Sequence, residues 1–159
     1  MAGYGTDEGF AAWAAENGYT VPSGTVAAAR QRGSVYIDGK YDGRFPGYPT
    51  GGAAQKRSWP RTGAEDRYGN AIASNAVPDR VVQASYEAAL LELETAGSLS
   101  ATTSEGERLK RLKAGSVELE YADSASFSAA ESASPVSTRI EGLLYPLLIV
   151  SDPPAVAVV

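Results

Sequence analysis

The chain has 159 residues, a formal net charge of −5, and neither cysteine nor histidine. This length suits one domain with a hydrophobic core, and the two absences exclude disulfides, thiolate or imidazole metal sites, and Ser-His or Cys-His catalysis. The acidic balance argues against a free-standing nucleic-acid binder, whose affinity would come mainly from neutralised phosphates, although a local basic patch stays open.

We expect neither membrane association nor enzymatic activity. No basic and then apolar segment opens the chain, and no run approaches the roughly 18 apolar residues of a membrane span. We expect a cytoplasm-like compartment. Any catalysis would have to use carboxylates, lysine or tyrosine, and we expect no enzyme and no cofactor.

Two helices are predicted within the first 41 residues. Thr6 is a suitable N-cap for a short helix with Trp13 on its apolar, core-facing side, and Asn17 followed by glycine ends it. Ser23 is expected to cap a second helix that runs to about Tyr41, because apolar residues recur there at roughly helical spacing.

Glycine and proline are frequent in residues 43–76, which predicts a long ordered loop instead of a helix or sheet. Residues 38–49, at its start, superficially resemble a calcium-binding loop. Lys40 and Pro49 stand where that loop needs ligand oxygens, so no metal site is expected.

A mixture of basic and aromatic residues, QKRSWPRTG, occupies residues 55–63 inside this loop, and Arg67 and Tyr68 continue it. In one interpretation Trp59, held extended by Pro60, fills the core while neighbouring arginines pair with Glu65 and Asp66. In a second, Trp and Arg anchor a contact with another subunit or partner. In a third, the aromatic rings stack on bases and the cations bind the DNA backbone.

Residues 77–96, VPDRVVQASYEAALLELETA, predict the central helix of the fold. Pro78 suits its first turn, Asp79 complements the helix dipole, and Gly97 is the expected C-cap. Glu87 belongs to a narrow polar edge, and two apolar faces cover the rest. Those faces comprise Val81, Ala84, Ala88 and Leu91 on one side, and Val82, Tyr86, Ala89 and Leu93 on the other. Such a helix buries both faces, either within its own domain or against another copy of the chain.

Alternating residues after the central helix predict a β-hairpin over 108–121, with a basic limb opposite an acidic one. Glu118 and Glu120 share one strand face, which is more typical of a solvated surface than of a catalytic pair. Residues 122–134 form a low-complexity segment.

A last helix is expected to start at Ser134 and Pro135 and to end near Pro146. The apolar arm at 151–159 is expected to dock on its own domain or on a neighbour. The predicted fold class is therefore mainly α: a small bundle of about four helices with a long ordered loop, a β-hairpin and an extended C-terminal arm.

Several segments together resemble one phage family. They are Gln55-x-x-x-Trp59-Pro60-Arg61-x-Gly63, the alanine-rich helix opened by Val77-Pro78, Leu112-Lys113-x-Gly115-x-Val117-x-x-x-Tyr121, and the closing segment 140–148. The combination resembles the head-tail connector, or adaptor, proteins of long-tailed phages and gene transfer agents. Members with this pattern are often labelled DnaT-like single-stranded-DNA-binding proteins. The resemblance covers about residues 6–148, and its most specific part is the stretch from Gln55 to Gly63.

The resemblance implies a structural virion protein, with a connector domain at 1–150 and an arm at 151–159. It implies a homo-oligomeric ring, expected to be twelve-fold, assembled in the host cytoplasm and located at the head-tail interface. Its implied partners are the portal protein, a neck, stopper or tail protein, and double-stranded DNA passing through the channel. The alternative is a single-stranded-DNA-binding module that uses Lys56, Arg57, Trp59 and Arg61.

A ring needs complementary surfaces on two sides of each subunit, and the long loop and the central helix are the candidates to supply them. The expected interface or anchor residues are Gln55, Arg57, Trp59, Pro60, Arg61, Val82, Tyr86 and Leu93. The candidate DNA-channel contacts are Lys56, Arg67, Lys110 and Lys113.

Overall fold

Helices provide most of the regular structure in the computed structural model, which describes residues 3–100 and 137–149. Four helices lie in these ranges: α1 (Asp7–Glu16), α2 (Val26–Tyr41), α3 (Asp79–Glu94) and α4 (Thr138–Leu144). The expected mainly α class with about four helices is confirmed. The hairpin predicted at 108–121, the low-complexity segment 122–134 and the arm at 151–159 lie outside the described residues.

The start of α1 follows the prediction, whereas that of α2 does not. The Gly9 N–H donates to Thr6 Oγ1 at 3.0 Å, and Asn17 caps the other end of α1. The cap of α2 is Thr25, so the prediction of Ser23 is wrong. Gly24 follows Ser23 with φ of +154°, a conformation outside the helical region that separates Ser23 from the first turn.

The central helix α3 is shorter than expected at its C-terminal end. Pro78 occupies the cap position with φ of −59°, and the Val81 N–H donates to its carbonyl at 2.9 Å. Thr95 is the C-cap, so the prediction of Gly97 is wrong. Gly97 adopts φ of +84° beyond the helix, and its N–H donates to Glu92 Oε1 at 3.0 Å.

Both apolar faces of α3 pack against the chain's own residues, with Val82, Leu91 and Leu93 only partly buried. On one side Val81, Ala84 and Ala88 join a core formed with α2, the loop and α4; its large members are Ile37, Tyr41, Phe45, Trp59, Ile140 and Leu144. On the other side Tyr86 and its neighbours pack against Phe10 and Ala29 in a second core. Of the two alternatives for this helix, the structure supports burial within one domain, and no second copy is needed to cover α3.

The polar edge predicted for α3 is wrong at Glu87, which is only 5% exposed. Its carboxylate accepts a hydrogen bond from Arg139 Nη1 of α4 at 3.2 Å. The chain therefore uses an ion pair to attach α4 to the centre of α3. Arg139 lies 52 residues away in the sequence, so helical periodicity alone could not reveal this pairing.

Helices α2 and α3 are in close contact at Gly33. A Cβ atom at this position would lie 2.6 Å from the Ser85 carbonyl oxygen and 2.8 Å from the Ala89 backbone nitrogen. Gly33 is thus required by helix packing, although its lack of a side chain weakens the isolated helix.

The loop 43–76 is ordered, as predicted, but contains two short strands that the sequence did not reveal. These are β1 (Tyr48–Pro49) and β2 (Arg61–Thr62), which pair antiparallel with Tyr48 opposite Thr62. Helix α4 begins after Ser137 and runs into a 3-10 turn that contains Pro146. The start predicted at Ser134 and Pro135 lies outside the described residues. Within the described ranges, no helix has the length and apolar character needed to cross a bilayer.

Candidate interaction site

Trp59 is a core residue of the domain and is only 2% exposed. Its indole packs edge-on against Phe45 with ring centroids 5.5 Å apart, and the Trp59-Pro60 peptide is cis. A base could stack on this ring only if the loop left the core. The structure therefore supports the interpretation in which Trp59 anchors the fold.

Arg57 attaches the same loop to α2 through Asp38. Arg57 Nη1 lies 3.1 Å from Asp38 Oδ2, while the Tyr4 hydroxyl donates to Asp38 Oδ1 at 2.5 Å. The same hydroxyl accepts a hydrogen bond from the backbone N–H of Trp59 at 3.2 Å. Burial, followed by the hydrogen bond to Asp38, raises the pKa of Tyr4. Because the neutral hydroxyl both donates and accepts here, it joins the N-terminal segment, α2 and the loop.

The Arg61 guanidinium is buried and fully engaged. It donates from Nη1 to Asp42 Oδ1 at 2.9 Å, and from Nε and Nη2 to the carbonyl oxygens of Pro46 and Gly47 at 2.8 and 2.9 Å. The expected pairing of these arginines with Glu65 and Asp66 is wrong, because the segment folds back onto the end of α2, where Asp38 and Asp42 lie.

Gln55 closes the turn that leads into Trp59. Its side-chain amide donates to the carbonyl oxygens of Arg57 and Pro60 at 2.8 and 2.9 Å, and its Oε1 accepts from the Gly51 N–H at 2.8 Å. Gln55 and Pro60 are both partly buried. The residues of the Gln-to-Trp-Pro-Arg pattern thus form one folding unit.

The α3 residues expected at an interface also make contacts within the chain. Tyr86 is buried, and its hydroxyl donates to the Thr6 carbonyl at 3.2 Å and accepts from the Thr6 N–H at 3.0 Å. Val82 and Leu93 are partly buried and pack against the second core.

Among the candidate cations, Lys56 and Arg67 are exposed, whereas Lys110 and Lys113 lie outside the described residues. The Arg67 guanidinium lies 4.1 Å from the ring centroid of Tyr145 and 5.9 Å from that of Tyr68. These rings remain 53% and 74% exposed, respectively. We call Arg67, Tyr68 and Tyr145 the Arg-Tyr cluster.

The loop that carries this cluster is held by Asp66. Its Oδ1 accepts from the N–H groups of Tyr68 and Asn70, and its Oδ2 from the Asn70 side-chain amide, each at 2.9 Å. These bonds, led by that of the Asn70 side chain, lower the pKa of Asp66. The Arg67 N–H donates to the Pro146 carbonyl at 2.9 Å, which joins the loop to the end of α4.

Sequence reasoning found Arg67 and Tyr68 but missed Tyr145. The Asp66-to-Asn70 segment carries a turn signal, since Asp and Asn bond to nearby backbone and Gly accepts a positive φ. That signal could have predicted the rigid loop. No local signal could have placed Tyr145 beside it, since the two segments are distant in sequence.

A groove of about 440 Å³ opens between the end of α1, α3 and α4. Trp13 and Tyr19 line it, with ring centroids 5.3 Å apart, together with Glu16 and Arg139. Trp13 was expected in the core and is only partly buried, because it lies at the wall of this groove. In the part of the chain that the structure describes, no three acidic side chains are grouped as a metal site requires.

Comparison with known proteins identifies a family. A family model described as "Putative DnaT-like ssDNA binding protein" matches residues 3–158. No curated protein and no solved structure matches the chain. Because the match covers nearly the whole sequence, the chain belongs to this family of DnaT-like proteins.

Proposed function

We propose that this protein is a non-catalytic structural subunit that assembles into a ring and acts as a head-tail adaptor. The observation that carries the proposal is the Arg-Tyr cluster, an exposed pair of tyrosines around one arginine on a rigid loop. Tyr and Arg are the side chains most enriched at the energetic centres of protein interfaces. Side chains that are already fixed lose less conformational entropy when they bind.

The resemblance to phage connector proteins supports the same function. Its most specific part, the Gln-to-Trp-Pro-Arg stretch, stabilises the domain through the contacts of Trp59 and Arg61. A subunit that must keep its shape within a large assembly benefits from such an internal anchor. The partners we propose are other copies of the chain, a portal protein above the ring and a neck, stopper or tail protein below it.

In this proposal double-stranded DNA passes through the ring without being held. The net charge of −5 disfavours tight phosphate binding, since each neutralised phosphate requires a cation. A channel wall that binds DNA weakly would let the duplex slide. We place the assembled protein in the virion, at the junction of capsid and tail.

Single-stranded-DNA binding is the second candidate, and the description of the family favours it. Lys56 and Arg67 are exposed and could contact a backbone, and Tyr68 could stack on a base. The other expected contacts are occupied, because Trp59 is in the core and the guanidinium groups of Arg57 and Arg61 bind Asp38 and Asp42.

Electron microscopy of purified particles tests the adaptor function directly. Antibody fragments against this chain should label the neck, below the capsid vertex, in tailed particles. Labelling of the capsid surface, or no labelling of intact or disrupted particles, would contradict the proposal. For the second candidate, fluorescence anisotropy with labelled oligonucleotides should show no binding at low salt; salt-dependent binding that Arg67→Ala weakens would favour it instead.

A further inference from the structure

We propose that the Arg-Tyr cluster of one copy inserts into the groove between α1, α3 and α4 of the next copy. This inference rests on the proposed ring and names the contact that builds it. The knob is Tyr68 with Arg67, and the receiving surface is the groove formed by Trp13, Glu16 and Tyr19.

The knob is exposed and rigid at the same time. Tyr68 is 74% exposed, yet its own N–H is bonded to Asp66 at 2.9 Å, and the next N–H along, that of Gly69, donates to the Asp66 carbonyl at 3.0 Å. An isolated domain gains little stability from holding an aromatic ring in water. The same ring becomes a preorganised anchor once a partner covers it.

The positive charge of Arg67 in the knob would be complemented by a carboxylate on the partner surface. Arg67 forms no ion pair with the residues that the structure describes, and the groups nearest its guanidinium include the Tyr145 ring at 4.1 Å and the Tyr68 ring at 5.9 Å. Since the chain carries 19 acidic against 14 basic residues, a second copy supplies free carboxylates in excess.

The groove offers such a carboxylate beside aromatic rings. Glu87 is already bound to Arg139, which also donates to the Tyr19 hydroxyl. Glu16 is exposed, lines the groove, and makes no ion pair within the described ranges. A tyrosine ring placed on Trp13 and Tyr19 would bring the neighbouring guanidinium to Glu16, and 440 Å³ accommodates one tyrosine side chain.

Charge also distinguishes this groove from a second one of about 340 Å³ near Val35. Arg32 lies in that second groove and Glu92 is already bound to it at 2.8 Å. The other Glu92 oxygen, Oε2, is buried, so an incoming arginine would find no exposed carboxylate there. The α1, α3 and α4 groove is therefore the better complement.

The knob and the groove are different surfaces, so the contact is heterologous. Repetition of a heterologous contact produces a closed ring when the rotation closes, and an open filament when it does not. An isologous pair, by contrast, would stop at a dimer. The contact thus supplies the two complementary sides that a ring requires.

Engineered cysteines test the contact cleanly, because the natural chain contains none. Gln83 is exposed and lines the groove, and Ala71 is exposed on the loop that carries Tyr68, so Ala71→Cys combined with Gln83→Cys should give a ladder of dimers, trimers and larger species on oxidation while the Tyr68 ring stays in place. Tyr48→Cys with Gln83→Cys is the matched control, since Tyr48 is also largely exposed, and it should give at least about tenfold less crosslinking. Equal ladders in both pairs, a dimer alone, or no ladder would overturn the inference.

A charge exchange separates this inference from the proposed function. Arg67→Glu and Glu16→Arg should each raise, by at least about tenfold, the protein concentration at which half of the chains are assembled. The double variant should restore assembly. If the wild-type chain forms rings that neither substitution affects, the inference fails while the proposed function stands. If the wild-type chain stays monomeric even with the portal protein, both fail. Crosslinking of a photoreactive residue at position 68 to an oligonucleotide instead of to a second copy would also overturn the inference.

Discussion

At the residue scale, Trp59 is the largest of the fully buried side chains in the described part of the chain. Tyr4, Asp38 and Arg57 surround the segment that delivers it to the core. The aromatic and basic residues that look suited to nucleic acid in the sequence are thus used to fold the loop. Burial decides their role, and local sequence does not report burial.

Replacement of Trp59 should test this assignment. Trp59→Ala should lower the free energy of unfolding by about 3–5 kcal/mol, the usual cost of removing a buried aromatic ring. Trp59→Phe should cost less, because the buried indole N–H has no hydrogen-bond acceptor among the described residues and phenylalanine removes that donor. Urea unfolding followed by far-ultraviolet circular dichroism measures both. A Trp59→Ala variant as stable as the wild type would show that the ring does not anchor the fold.

The buried hydroxyl of Tyr4 predicts a loss of stability at alkaline pH. Burial and the hydrogen bond to Asp38 raise its pKa above the ordinary value of 10.0. Its contribution is therefore complete below about pH 10, and is lost as the pH rises from there towards the folded-state pKa, because the unfolded state releases the proton first.

Urea unfolding at several pH values above 9 measures this effect. Tyr4→Phe should make the free energy of unfolding fall less steeply above about pH 10 than it does in the wild type. Tyr68→Phe, which removes an exposed hydroxyl, serves as the control and should keep the wild-type slope. Identical slopes for Tyr4→Phe and the wild type would contradict the assignment.

At the element scale, the packing of α2 on α3 depends on the absence of a side chain at Gly33. Gly33→Ala should destabilise the domain by about 1–3 kcal/mol, because the new Cβ would lie 2.6 Å from a backbone oxygen of α3. Gly39→Ala in the same helix meets nothing within 4 Å and should stabilise it by about 0.5–1 kcal/mol. Thermal unfolding of the two variants gives the comparison. Shifts of the same sign would contradict this account of the packing.

The helices could be predicted because their signals are local. Helix α1 was predicted from its capping residues and apolar spacing, with Asn17 at its end. Helix α3 was predicted from Pro78 and the apolar pattern that follows it. The errors arise where distant residues decide, as at Glu87, whose exposure depends on Arg139. Strands of two residues, such as β1, are too short to produce a detectable alternation.

The candidate site was predictable only in part for the same reason. The residue types in the loop indicated Arg67 and Tyr68, but Tyr145 comes from a segment that is distant in the sequence. From the sequence, the arginines of the Trp-Pro-Arg stretch were compatible with three roles: anchoring the fold, contacting a partner, or binding DNA. Their actual partners, Asp38 and Asp42, lie on or beside α2 and could be identified only in three dimensions.

At the scale of the whole molecule, α3 is covered within one domain, so assembly does not depend on burying an exposed face of this helix. An uncovered helix face would have forced copies together in order to hide apolar surface. The chain instead exposes a small polar and aromatic knob, which is typical of subunits that fold alone and then assemble. We therefore expect a stable monomer that forms rings in a concentration-dependent manner or upon contact with the proposed portal partner.

Native mass spectrometry of the chain mixed with the portal protein encoded in the same genome tests this account most directly. The account predicts a closed ring of this chain bound to the portal, lost with Tyr68→Ala and retained with Tyr48→Ala. A chain that stays monomeric beside an intact portal ring, under conditions in which both proteins are folded, would contradict it.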